Sequence, residues 1–353
     1  MRVKQTCAAG LVVTALSITA PDAAEKIKVL VDQDSAGPQG TNFLSLLMLL
    51  MSEDVELLGI TTVSGDQWVR PATVFALHAL ELTGRPDVPV VQGAEMPLLN
   101  RASGIEDRES LHGSHPSWHG SFNPDAPPPE RTWDPPGGPP TVKPRAGHAA
   151  DFIIETLRAH PGEVVLYCAG PLTNLALAVR LAPDIVGLAR SLHVMGASRG
   201  GGFELNWWWD PEATRIAMSA PWKKIVITPV DISVKTSLSD DLKRRLAASP
   251  SKAAQFIAKF HPPGAGGGGG FMWDEISVLA FLDPSVITQQ QQLYVNIDID
   301  HGPGYGQTIF VEDVVPGPTP KPRTMPSWWR VATVQWDLDL KKFYDQFVTL
   351  MTR

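Results

Sequence analysis

The stretch from Ile27 to Met51 places the strongest constraint on the fold. Ile27 to Leu30 is a short apolar run that reads as a β-strand, and Phe43 to Met51 is apolar over a length suited to a buried helix. Between them runs Val31-Asp32-Gln33-Asp34-Ser35-Ala36-Gly37-Pro38-Gln39-Gly40-Thr41-Asn42, where Gly37, Pro38 and Gly40 force a loop before a helix that starts near Asn42. In an open α/β sheet, ligands bind at the carboxyl ends of strands. Asp32 and Asp34 sit two apart at such an end, so their side chains leave on one face. Two carboxylates there would attract a hard cation or polarise a water.

The rest of the chain repeats the alternation. Val55 to Val63 reads as a second strand ending in Ser64-Gly65-Asp66, residues 71 to 83 have helical spacing, and Val88 to Val91 is a third strand. Asn100 to Arg145 is Pro-rich and aperiodic, a loop long enough to suggest function. Regularity resumes with helix Ala149 to Ala159, strand Val164 to Ala169, a second strand-to-helix turn at Gly170-Pro171-Leu172-Thr173-Asn174, helix Leu175 to Leu181 and strand Leu192 to Met195. Lys224 to Val230 reads as a strand, Leu238 to Phe260 as mostly helix, and Gly264 to Gly270 as a hinge or lid. An apolar helix through Leu282, a strand Leu293 to Ile299, a Pro-rich excursion Pro316 to Pro326 and a terminal helix Leu338 to Met351 close the chain. This order predicts an α/β fold, doubly wound with a mostly parallel central sheet, as a single domain over residues 25–353 with long loops at about 100–145 and 261–273.

With 30 basic against 37 acidic residues, a nucleic-acid partner is disfavoured. Residues 1–24 read as a signal peptide: Arg2 and Lys4 precede an apolar run from Ala8 to Ala20, too short to span a bilayer comfortably, and small residues follow. The mature chain is then periplasmic or secreted, with no membrane contact after signal removal. Cys7 leaves with the signal, so Cys168 has no partner for a disulfide and reads as a small core residue.

Several other strand ends carry polar groups: Asp66, Thr173 with Asn174, Glu204 with Asn206, and Asp274. A doubly wound sheet gathers its strand ends on one edge, so convergence of these groups with Asp34 is the expectation. His112, His115 and His119 have spacing compatible with zinc, but their Gly- and Pro-rich loop offers no rigid element, and a gating role against substrate is preferred. Trp207-Trp208-Trp209 reads as packing, in an extended segment with alternating sides. Neither a nucleophile elbow nor a Gly-rich phosphate loop is present.

In their order these motifs resemble the inosine–uridine-preferring nucleoside hydrolases, calcium-dependent N-ribohydrolases. The similarity runs from about Lys26 to the C-terminus through Val31-Asp32-Gln33-Asp34, Gly59 to Asp66, Pro89 to Gly93, Gly170 to Ala178, Met195-Gly196, Glu204-Leu205-Asn206, Asp210-Pro211-Glu212-Ala213 and Asp274. The resemblance implies that Asp34 binds calcium and takes a proton from the attacking water, with Asn42, the backbone carbonyl of Thr173 and Asp274 completing the metal ligands. It implies that Glu204 and Asn206 hold ribose hydroxyls, with Met195 packed nearby and Asp66 near the water and sugar. For the leaving base, Trp273, His119 and Glu275 are the alternatives, by stacking or by proton donation, and the family precedent for the subunits is a homo-oligomer.

The chain departs from the family pattern in several places: Asp66 stands where the family more often has asparagine, and the stretch from Met195 to Glu204 is short and lacks an asparagine that contacts the sugar. Where the family has two adjacent aspartates before the first helix, this chain has Thr41-Asn42, which removes a negative charge from the calcium site. Trp273 stands where some members carry a histidine that protonates the base. The function implied is hydrolysis of the N-glycosidic bond of a ribonucleoside or related riboside, releasing base and ribose. The alternatives are a non-catalytic nucleoside- or sugar-binding protein with a degraded metal site, and a hydrolase of another glycoside.

Overall fold

The computed structural model describes residues 25–113, 119–123, 129, 134–200, 202–262 and 270–353. The strands are β1 (Ile27–Gln33), β2 (Val55–Thr62), β3 (Val90–Gln92), β4 (Val165–Ala169), β5 (Ser191–Met195), β6 (Ile225–Thr228), β7 (Ile287–Ile297), β8 (Thr308–Val311), β9 (Val314–Val315), β10 (Lys321–Pro322) and β11 (Arg330–Leu338). The helices are α1 (Thr41–Met51), α2 (Val69–Thr83), α3 (Ser103–His112), α4 (Ala149–Ala159), α5 (Thr173–Leu181), α6 (Leu205–Trp209), α7 (Pro211–Ser219), α8 (Val230–Ser233), α9 (Asp240–Ala247), α10 (Lys252–Phe260), α11 (Trp273–Leu282) and α12 (Leu340–Met351).

A nine-stranded sheet runs in the order β3-β2-β1-β4-β5-β6-β11-β7-β8. Every pairing from β3 to β11 is parallel, and β11–β7 and β7–β8 are antiparallel. Parallel strands need both faces covered, and β4 and β5 are buried at every residue. One face packs against α1, α2 and α9 to α12 through residues such as Phe43, Leu47, Ile276 and Phe343. The other packs against α4, α5 and α7 through Ile153, Leu157, Leu175 and Ala217. The strand order reverses direction between β1 and β4, the switch point at which doubly wound sheets open a ligand crevice.

Some elements differ from the sequence expectation. β1 continues through Gln33, so Asp32 lies inside the strand rather than in the turn. Helix α3 forms within the expected loop; only Ile105 and Arg108 of it are buried, so it carries no apolar stripe to announce it. The three tryptophans lie on α6, not on an extended segment, and all are buried. The Leu238 to Phe260 helix is two, α9 and α10, parted at Ser249-Pro250-Ser251. β7 begins six residues before Leu293 because its Gln289–Gln292 run faces solvent at an antiparallel edge. β11 has no counterpart in the sequence reading, although Ala332, Val334, Trp336 and Leu338 alternate inward. Residues 1–24, His115 and residues 263–269 of the expected lid lie outside the described residues.

Candidate active site

Asp34 lies just past the end of β1 and is fully buried. Its Oδ1 accepts from Asn42 Nδ2 at 2.7 Å and its Oδ2 from the backbone N–H of Asp66 at 2.7 Å. The first bond ties the strand end to the first turn of α1, and the second ties it to the turn after β2. Gly65 permits this approach: a Cβ there would collide with Asp34 Oδ2 and the Pro171 ring. Ser35 and Ala197, both non-glycine, hold positive φ angles of 28° and 77° beside the site, a local strain of the kind found where chain geometry serves function.

Asp274 enters from the N-terminal turn of α11, where its Oδ2 accepts from Gln33 Nε2 at 2.8 Å. Gln33 also donates to Ser45 Oγ, so the residue between the two aspartates of the motif braces α1 and α11 together. Glu204 caps α6, accepting from the N–H groups of Asn206 and Trp207 at 2.9 and 3.0 Å. Asn206 Nδ2 contacts the Met195 carbonyl at 3.3 Å. Thr173 starts α5, and its hydroxyl donates to Asp210 Oδ2 at 2.7 Å. Asp32 is held by the Thr61 hydroxyl and the Asn174 amide, which marks it as a brace between β1, β2 and α5.

Acids on separate elements raise one another's pKa here. Burial drives the Asp34 carboxyl well above the usual range, and Asp66 and Asp274 add to the rise. Burial also drives Asp274 well up, with Glu275, Asp66 and Glu204 contributing. Glu204 is pushed up to about 7 by burial, against the pull of its three backbone donors, Asn206, Trp207 and Ala197. Asp66 is raised by desolvation and lowered by a hydrogen bond from the Asn42 side chain. Asp66 itself is exposed at the turn after β2.

Other expected residues sit at the margin. The turn at 120–122 docks on the β2–α2 turn, with the Ser121 N–H donating to the Gly65 carbonyl at 2.8 Å, so His119 stands beside the site with its ring bonded to Glu109 at 2.8 Å. His112 turns away to the Pro303 carbonyl. Trp273 is half-buried at the first position of α11, its ring edge-on to Phe271. Sequence reasoning missed Gln33, whose role depends on a contact 241 residues away, and the Asp210 bond to Thr173, masked by its helix-start position before Pro211.

A sequence model described as inosine-uridine preferring nucleoside hydrolase matches residues 29–345. The chain belongs to this family. It is 31% identical over 288 residues to an uncharacterized protein of Schizosaccharomyces pombe, covering 78% of this chain and 85% of that one. It is 30% identical to the probable uridine nucleosidase 2 of Arabidopsis thaliana, covering 75% and 80%. It is 28% identical to the pyrimidine-specific ribonucleoside hydrolase RihB of Escherichia coli, covering 82% and 88%. The fold matches that of an inosine-guanosine nucleoside hydrolase with a TM-score of 0.72 at 22% identity, covering 92% and 98%. The purine-preferring ribonucleoside hydrolase of Gardnerella vaginalis matches at 0.69 and 22%, with the same coverage. Members of this family are N-glycosyl hydrolases, and the chain is an enzyme of that class.

The donor set suits a cation. Asp34, Asp66, Asp274 and Glu204 repel one another, and none forms an ion pair with a lysine or arginine among the described residues. The Gln33 Oε1 and Ser35 Oγ atoms are buried without a hydrogen-bond partner. Oxygen-only donors of this charge fit a hard divalent cation such as calcium. Among the described residues no three acidic or histidine side chains are already gathered around a common point, and Asn42 presents its amide nitrogen, not its oxygen, to Asp34.

Proposed function

We propose that the chain cleaves ribonucleosides to base and ribose with Asp34 as the general base, at a calcium site formed by Asp34, Asp274 and the Thr173 carbonyl. The observation that carries this reading is the seat of the buried Asp34 carboxyl just past β1, beside the switch point of the sheet, held by Asn42 and the Asp66 N–H with no lysine or arginine paired to it among the described residues. Asp34 is held by two hydrogen bonds, which fix the carboxylate that takes the proton of the attacking water. When bound, a divalent cation supplies a lowered pKa for that water and a grip on the sugar diol. Glu204 and Asn206 orient the ribose hydroxyls, and the carboxylates around them favour the positive charge of an oxocarbenium-like transition state. Trp273 and His119 are assigned to the leaving base. Residues 1–24 are read as an export signal and the mature enzyme as a periplasmic or secreted homo-oligomer; N-terminal sequencing and sedimentation check both.

The test is release of reducing sugar from uridine, cytidine, inosine and adenosine, with calcium and with a chelator. Uridine comes first because curated relatives carry uridine and pyrimidine in their names. Calcium-dependent ribose release is expected. No release from any nucleoside at saturating calcium would overturn the reading in favour of a binding protein or a hydrolase of another glycoside.

A further inference from the structure

Of the groups that could serve the leaving base, Trp273 offers an indole N–H that does not ionise near neutral pH, so its ring can stack but cannot give up a proton. Glu275 is 0% exposed, and both its carboxyl oxygens are buried without a hydrogen-bond partner, so no route among the described residues returns a proton to it between turnovers. His119 differs from both. Its Nε2 lies 2.8 Å from Glu109 Oε1, while its Nδ1 makes no hydrogen bond among the described residues and is not sealed from solvent. An ionised carboxylate only accepts, so Nε2 carries a hydrogen and Nδ1 is the nitrogen left to exchange a proton.

Both partners are held in place. Arg108, buried, lays its guanidinium over Phe203 at 3.4 Å and Trp208 at 4.3 Å, which fixes α3, and Glu109 with it, against the segment that carries Glu204. The turn after His119 is pinned on the other side. The Ser121 N–H and hydroxyl both donate to the Gly65 carbonyl, at 2.8 and 3.1 Å, and Phe122 stacks on Trp209 with ring centroids 3.9 Å apart. Gly120 has a φ of 49°, and a Cβ there would collide with the Gly65 carbonyl and touch Leu205, so the chain passes closely between the β2–α2 turn and the start of α6. The N–H that follows Gly65, that of Asp66, is the one that holds Asp34. His119 is thus fastened to the turn that seats the general base and to the helix that bears Asn206.

We propose that Glu109 is a positioning residue that holds the His119 imidazole with Nδ1 toward the leaving base, and that His119 protonates that base. As the glycosidic C–N bond breaks, its electron pair goes to the base, and the Nδ1 proton goes to a ring nitrogen or carbonyl oxygen of the base. Water adds to the sugar carbon and yields its proton to Asp34, so one proton enters and one leaves, and His119 recovers its own from solvent. Glu109 fixes the tautomer and orientation of the ring, as an orienting carboxylate does for a catalytic histidine. Trp273 is left to stack. The assignment rests on reading the chain as a hydrolase of nucleosides, and it puts proton donation on the turn after α3 rather than on α11.

The experiment is steady-state kinetics of the full mature chain at saturating calcium with two substrates of one sugar. One is uridine, or whichever of uridine, cytidine, inosine and adenosine the parent cleaves fastest; the other is 4-nitrophenyl β-D-ribofuranoside, whose nitrophenolate leaves without a proton. His119→Gln is expected to lower kcat for the nucleoside by about 10²-fold or more, and Glu109→Gln by about tenfold with KM within about threefold of the parent. On the nitrophenyl riboside each fall is expected to be at least about fivefold smaller, which also shows that the variants fold. Equal falls on the two substrates would assign the pair to the fold or the sugar, and an undiminished nucleoside kcat in either variant would remove the pair from the reaction; both results overturn the proposal and leave the hydrolase reading in place. A parent that cleaves neither substrate would overturn that reading, and the proposal with it.

Discussion

At the carboxyl ends of the parallel strands, Asp34, Asp274 and Glu204 are buried with no lysine or arginine paired to them among the described residues. At the amino ends the charges are matched or silenced. Lys28, at the start of β1, pairs with Glu163, and His193 lies 8% exposed near Arg190 and Lys224. Those neighbours and burial together pull the His193 pKa down to about 3, so its ring is neutral. The same sheet therefore treats charge in two ways. An isolated buried carboxylate costs several kcal/mol unless something compensates it, and it is retained where a ligand does so. Uncompensated charge marks the reactive end; paired or neutral groups mark the structural end.

The sharpest way to break this contrast is to remove the acids. Asp34→Ala and Asp274→Ala are each expected to lower kcat/KM by about 10³-fold or more, since each deletes a base or cation donor. The same variants are expected to lose calcium binding and to keep their near-ultraviolet dichroism, because a repulsive buried carboxyl is removed. Steady-state kinetics with isothermal titration decides it; turnover retained in either variant would remove the assignment.

A smaller effect is expected from Gly65→Ala, which changes no charge. Its Cβ would meet Asp34 Oδ2 and the Pro171 ring, so the turn after β2 must shift. Overpacking of this sort costs about 1–3 kcal/mol, and the displaced Asp66 N–H weakens its bond to Asp34. Activity is expected to fall about ten- to a hundredfold, mostly in kcat, with a lowered melting temperature. An alanine variant with parental kinetics would show that the precise seat of Asp34 does not matter to the reaction.

The two ends of the sheet also differed in how readily the sequence disclosed them. The acids of the carboxyl end sit in short motifs at strand ends, so Asp34, Asp66, Glu204 and Asp274 stand out in the sequence as candidates. The parallel strands were legible too, because burial on both faces leaves continuous apolar runs such as β4. The antiparallel edge was hidden: β7 starts with solvent-facing glutamines, and the Pro-rich stretch ahead of β11 masks its alternation. Gln33 was hidden for another reason. Its partners Ser45 and Asp274 are brought to it by α1 and α11, and no local pattern encodes a contact made by tertiary packing. The Asn42 substitution was visible in sequence, but its bond to Asp34 was not.

The mildest prediction concerns the amino end, where His193 lines a cavity of about 290 Å³ with Arg190, Lys224, Phe281 and Gln335. Its folded pKa lies near 3 against 6.5 in an unfolded chain, so as pH falls through 6.5 the unfolded state takes up a proton that the native state refuses. The stability that the neutral ring contributes is whole above 6.5 and drains away as pH falls toward 3. The carboxyl end has the opposite sign. Glu204, raised from 4.5 to about 7, favours the folded state at low pH and loses that contribution as pH rises through its folded value. His193→Gln removes the acid-labile term and leaves the carboxyl term. The fall in melting temperature between about pH 7 and about pH 4.5, measured with chelator present, is therefore expected to shrink in the variant relative to the parent. Equal falls in the two proteins would mean that His193 is reached by water and protons in the native state, and that the amino end is not silenced as its burial implies.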